Sequence, residues 1–142
     1  MIKNIIALIL LCSTVHINAQ SDKTFIVKGN SINNENIPNS GKLDISKITV
    51  INISNKAIFL EWKTISNTFP KGWDCSMCQH GACQIGIPKG SVFKKLNPDQ
   101  EGFIAIHVMP QKNIGNGQVK FKIYDRDYPE EFEILTFNVD VL

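Results

Sequence analysis

An antiparallel β-sandwich is the fold this sequence predicts, on three observations. Apolar residues recur with period two rather than 3.6 along most of the chain. Turn-forming residues interrupt the alternation roughly every ten residues. Ile, Val, Phe and Thr are common and Ala is scarce, which favours sheet. The implied architecture is all-β, with about seven short strands and no helix between them. A small closed barrel shares that signature.

The first segment does not belong to the fold. Lys3, the apolar run Ile5 to Cys12 and the small residue Ala19 have the order of a secretory signal peptide, so residues 1–19 read as a leader and 20–142 as one domain. The apolar run is far shorter than the roughly 20 residues that a membrane-spanning helix needs. Removing Lys3 lowers a formal net charge that is only +2 for the whole chain. With no run of Lys or Arg in the sequence, neither nucleic acid nor an anionic membrane is expected as partner.

Phe25 to Lys28 reads as a first short strand, and Gly29 to Gly41, rich in Asn, Ser and Pro, as a loop. Leu43 to Ile53 is extended with a change of phase: Leu43, Ile45, Ile51 and Ile53 share one parity, Ile48 and Val50 the other. A bulge near Lys47, two separate strands, or burial on both faces would each produce this. Ala57 to Ile65 alternates cleanly, with Ile58, Leu60 and Trp62 inward. Ser91 to Leu96 is a short polar strand before the turn Asn97-Pro98-Asp99. Phe103 to Met109 points Ile104, Ile106 and Val108 inward and His107 outward, and Pro110 ends it. Asn113 to Gly117 reads as a turn. Val119, Phe121 and Ile123 form the cleanest strand, and Asp125 to Glu130 connects it to a last strand carrying Leu135, Phe137, Val139 and Val141 on one face.

Between these strands lies Trp73 to Cys83, where most of the reactive side chains gather. Three cysteines remain after the leader: Cys75, Cys78 and Cys83. In an exported protein a disulfide is the default, and an odd count leaves one free thiol. Cys78 with Cys83 is the preferred pair, because Gln79-His80-Gly81-Ala82 can form a tight turn, which leaves Cys75 free. A second reading is thiol-redox chemistry at the C-x-x-C spacing of Cys75 and Cys78, which requires a helix N-terminus that the sequence does not offer. The third is a metal site, with Cys75, Cys78, His80 and Cys83 as tetrahedral ligands for Zn, or Met77 nearby favouring Cu.

Other residues invite simpler readings. His107 lies on a solvated face, and Asp125, Asp127, Glu130 and Glu131 mark a solvated hairpin end rather than a Ca²⁺ loop. Trp62 belongs to the core. Trp73, flanked by Gly and Pro, is either a lid on the sandwich edge or a contact residue. Asn52-Ile53-Ser54 fits a glycosylation acceptor. No nucleophile elbow, zinc-protease helix motif or phosphate loop is present, so no catalytic residue is assigned and the chain is not expected to be an enzyme.

Several short runs have company elsewhere. Val50-Ile51-Asn52, Leu60-Glu61-Trp62, Gly72-Trp73-Asp74, the Cys78 and Cys83 segment, Gly86-Ile87-Pro88 and Gly102-Phe103 occur in an order that resembles small immunoglobulin-like modules in exported proteins of Bacteroidota. The resemblance covers roughly residues 45–141 and implies an immunoglobulin-like sandwich acting as an accessory domain. The chain departs from those modules in Cys75 and in reaching Leu142 directly after the last strand, where they continue into a sorting tail.

These readings converge on an exported, periplasmic or secreted, binding or adhesion module without a cofactor. A disulfide-tipped loop at residues 73–88 is its expected contact surface, with Trp73, Met77 and His80 touching a protein or glycan ligand. The alternative is a periplasmic metal-binding or thiol-redox protein built on the same cysteines.

Overall fold

Ten strands and no helix make up the part of the chain that the computed structural model describes, residues 23–142. The leader and its boundary at Ala19 and Gln20 lie outside the described residues. In order the strands are β1 (Phe25–Lys28), β2 (Ile32–Ile37), β3 (Asp44–Asn52), β4 (Leu60–Asn67), β5 (Asp74–Gln79), β6 (Ala82–Ile85), β7 (Gly90–Val92), β8 (Glu101–Met109), β9 (Gly115–Asp125) and β10 (Tyr128–Val141). They form two five-stranded sheets, β1-β3-β8-β5-β6 and β2-β10-β9-β4-β7. Between them lies one core in which Val50, Leu60, Trp62, Ile104, Ile106, Phe121, Leu135 and Phe137 have lost all contact with water. The fold is the expected sandwich, not the barrel.

The alternation read from the sequence does the packing. Trp62 meets Phe121 edge-on at 5.2 Å and Phe121 meets Phe137 at 6.0 Å, the edge-to-face geometry that aromatic quadrupoles favour. β9 and β10 run together from the turn at Arg126-Asp127 to Gly115 opposite Val141. The register shifts between Tyr128 and Phe132, where Pro129 lacks the N–H a ladder needs.

Four expectations need correction. The stretch Gly29 to Gly41 is not all loop: Ile32–Ile37 is β2, parallel to β10 and the one non-antiparallel neighbour in either sheet. Only Ile37 of β2 is buried, so backbone pairing to the open edge of β10, rather than an apolar face, makes this a strand. β3 is one strand in unbroken register with β8 from Asp44 to Ile51, with no bulge at Lys47. Its core parity is Ser46, Ile48, Val50 and Asn52, and Ile45 and Ile53 stand outside; the apparent phase change came from polar residues that face inward. The turn expected at Asn113 to Gly117 is centred on Gln111 and Lys112, both at positive φ, and β9 already begins at Gly115. Gly117 is needed within that strand, since a Cβ there would lie 2.6 Å from the Phe69 ring.

Asn52 is no glycosylation acceptor, being fully buried. Its Nδ2 donates to the carbonyls of Lys56 and Leu96 at 2.8 and 3.1 Å, and its Oδ1 accepts from the Ser54 N–H and hydroxyl. The side chain thereby forms the turn after β3.

Candidate functional site

The cysteine segment is a β-hairpin at the edge of the first sheet. β5 pairs with β8 on one side and with β6 on the other, Gln79 opposite Ala82, which leaves His80-Gly81 as a two-residue turn. Gly81 has φ of +100°, a conformation that L side chains rarely adopt. The turn is tied down at both ends of its first residue: the His80 N–H donates to the Phe103 carbonyl, and the His80 carbonyl accepts from the Lys94 N–H, both at 3.0 Å.

Cys78 and Cys83 are direct cross-strand partners with Cα atoms 4.0 Å apart, and they form the expected disulfide. Alternation then decides what the rest can do. Residues three apart on a strand point to opposite faces. Cys78 lies on the outer face, whereas Cys75, Met77 and Gln79 turn toward the core, with Met77 1% exposed. Cys75 therefore cannot meet the Cys78 sulfur as a C-x-x-C redox pair. Nor do Cys75, Cys78, His80 and Cys83 fit a Zn or Cu site, because two of the sulfurs are bonded to each other and the third faces the opposite way. Among the described residues, no group of three or more His, Cys, Asp or Glu side chains is placed to hold a metal ion.

Gln79 is the residue that sequence reasoning missed. Buried at 4% exposure, it accepts a hydrogen bond from Trp62 Nε1 and donates from Nε2 to the Val92 carbonyl at 2.7 Å. One amide thus joins β5 of the first sheet to β4 and β7 of the second. The signal was available in principle: Gln79 shares the parity of Met77, and a buried Trp62 needs an acceptor for its N–H.

Trp73 takes the lid position at the sandwich edge. It is 5% exposed, donates from Nε1 to the Asn113 carbonyl at 2.9 Å and packs at 5.5 Å on Phe69. Met77 is likewise buried, its side chain in the core. His80 remains partly exposed, its pKa lowered by burial and then by the neighbouring charge of Lys94. Beside the hairpin a cleft of about 360 Å³ opens between Phe69, Pro70, Trp73, Cys75, Ile85 and Ile87. Cys75 is half-buried in its wall, its thiol pushed up to about 11 by burial and then by the Asp74 carboxylate. At neutral pH it stays protonated, a poor nucleophile and a poor metal ligand.

No family model matches the chain, and no curated protein matches its sequence. Solved structures do resemble it. The ASH/PapD-like domain 7 of human CEP192 aligns over 84% of this chain and 85% of that one, with a TM-score of 0.52 and 8% identity. The N-terminal domain of PorA aligns over 77% and 85%, with 0.51 and 17%. A family 123 glycoside hydrolase from Clostridium perfringens aligns with 0.51 and 10%, over 79% of this chain but only 23% of the hydrolase. At such identities the likeness is one of fold alone: a small sandwich of the immunoglobulin-like and PapD-like kind.

Proposed function

We propose that this chain is a non-enzymatic, exported binding or adhesion module, an accessory domain of the type found in exported Bacteroidota proteins, with the 73–88 segment as its contact surface for a protein or glycan. One observation carries the reading: all four positions of β6 are exposed, Ile85 at 98%, on a hairpin that a disulfide holds in shape. Covering one such isoleucine contributes about 1.5–3 kcal/mol, and a covalently pinned tip loses little freedom when it binds. The adjacent cleft, lined by Phe69, Pro70, Ile85 and Ile87 and also by Lys71 and Asp74, extends the same surface. The disulfide fits an oxidising compartment, and no helix among the described residues is long and apolar enough to cross a membrane. A protonated Cys75 and the absence of a recognisable catalytic motif support a non-enzymatic role.

The test is site-specific photo-crosslinking in the native cell envelope. A crosslinking side chain at position 85 should give a discrete adduct, and one at position 26, on the outer face of β1, should not. Cys78→Ser should weaken the adduct. Equal yields at the two positions, or none at 85, would remove the hairpin from the contact surface.

A further inference from the structure

The outer face of the second sheet lies on the far side of the core from the hairpin, and the register gives it a chemistry the linear sequence conceals. Lys63 of β4 stands opposite Lys122 of β9, and Lys120 lies opposite Ser66 of β4 and Thr136 of β10. Strand rise separates Lys120 from Lys122 by roughly 7 Å. One row further on, Gln118, Asn138 and Asn34 lie side by side across β9, β10 and β2.

The lysines are unpaired. The ion pairs among the described residues use Lys23, Lys28 and Arg126, which leaves Lys63, Lys120 and Lys122 without a carboxylate. Aromatic rings steady two of them: Lys122 Nζ lies 4.1 Å from the Phe132 centroid and Lys63 Nζ 5.8 Å from that of Tyr124. Such cation–π contacts order an ammonium without neutralising it. Along these rows, carboxylates stand only at the two ends, Glu61 opposite Tyr124 and Asp140 opposite Asn116.

The amide row is a relay. Gln118 Nε2 donates to Asn138 Oδ1, and Asn138 Nδ2 to Asn34 Oδ1, both at 2.7 Å. Gln118 Oε1 is left as a free acceptor and Asn34 Nδ2 as a free donor among the described residues. A groove of about 280 Å³ runs along this row, lined by Asn34, Asn116, Gln118 and Asn138 and also by Glu35 and Asp140, so that the lysines lie beside it and not in it.

We propose that this face binds an anionic polysaccharide, a sugar chain carrying carboxylate or sulfate groups, laid across β2, β10, β9 and β4. Charge complementarity with Lys63, Lys120 and Lys122 draws acidic groups to the β4–β9 half of the face, away from Glu35 and Asp140. An amide row that both donates and accepts matches sugar hydroxyls, which do the same. A duplex nucleic acid would engage only three lysines here, too few for tight binding at physiological salt. An acidic peptide would satisfy the lysines and could pair with the amides through its backbone, so polyglutamate is the control that separates it from a sugar chain. Lysine, as a point charge, accepts carboxylate or sulfate alike.

Titration of the full chain with polygalacturonate, dextran sulfate and neutral dextran tests this and separates the two acidic sources. Binding to at least one of the charged polymers and not to dextran is the expected result. Lys120→Ala/Lys122→Ala should weaken it roughly tenfold with a shallower salt dependence. Asn138→Ala should weaken it with the salt dependence unchanged, as loss of a hydrogen-bonding group and not of a charge. Ile85→Asp, on the hairpin, should leave it intact, so this proposal and the hairpin reading fail independently. Binding to neither charged polymer, wild-type affinity in the double lysine variant, or equal affinity for polyglutamate or a short DNA duplex would overturn it.

Discussion

The molecule holds two hairpins together by different means. The β9–β10 pair is long and registered almost end to end, and it buries Val119, Phe121, Ile123, Leu135, Phe137, Val139 and Val141. The β5–β6 pair has four cross-strand partners, and β6 buries nothing. Its shape depends on a few discrete bonds: the Cys78–Cys83 bridge, the Gln79 amide and the backbone ties of His80. Distributed apolar burial makes a hairpin that fails only with the whole domain. Discrete bonds make one that can open locally, while the sandwich persists, once those bonds are cut.

Phe137→Ala should give the largest effect, about 3–5 kcal/mol in denaturant unfolding, because the cavity falls in the shared core. All probes should report the same transition. Next comes Gln79→Leu, which strands the Trp62 N–H and the Val92 carbonyl in the interior and should cost about 2–3 kcal/mol. It would sharpen the contrast, since one side chain of a four-pair hairpin would then matter nearly as much as a core phenylalanine. Cys78→Ser with Cys83→Ser should cost about 2 kcal/mol, as expected for so short a closed loop. Amide exchange should accelerate at 76–85 and stay unchanged in β9 and β10. Faster exchange across both hairpins would show that they share one cooperative unit, and the comparison would fail.

The same contrast governs what could be read from the sequence. β4, β8, β9 and β10 were legible because each has a wet face and a dry one, which writes period two into the chain. β6, Ala82 to Ile85, has two wet faces and no such mark, so the hairpin was read as a loop although its disulfide was placed correctly. β2 was missed for a related reason: Asn33, Asn34, Glu35 and Asn36 are extended because β10 offers them an edge. In β3, inward Ser46 and Asn52 disguised the core parity. Lys120 and Lys122 are near neighbours in sequence, but Lys63 joins them only when the β4–β9 pairing sets it opposite Lys122.

The smallest expected effect concerns how firmly the edge beside the short hairpin is closed. Burial raises Cys75 from an ordinary value near 9 to about 11, so the native state holds its proton more tightly than the unfolded chain. Between those values the unfolded state binds fewer protons, and stability falls as pH rises. Below about pH 9 the contribution is complete; above about 11 it is gone. Thermal unfolding at pH 7.5, 9 and 10.5 should show a steeper decline for the wild type than for Cys75→Ala, the difference isolating this thiol. Alkylation by iodoacetamide should still be accelerating past pH 10, where an open thiol would have levelled off. A midpoint near 8.5 would mean that water reaches Cys75 freely. The cleft wall would then be loosely packed, and the discrete bonds of β5 and β6 would be fixing only the tip of the hairpin and not its base.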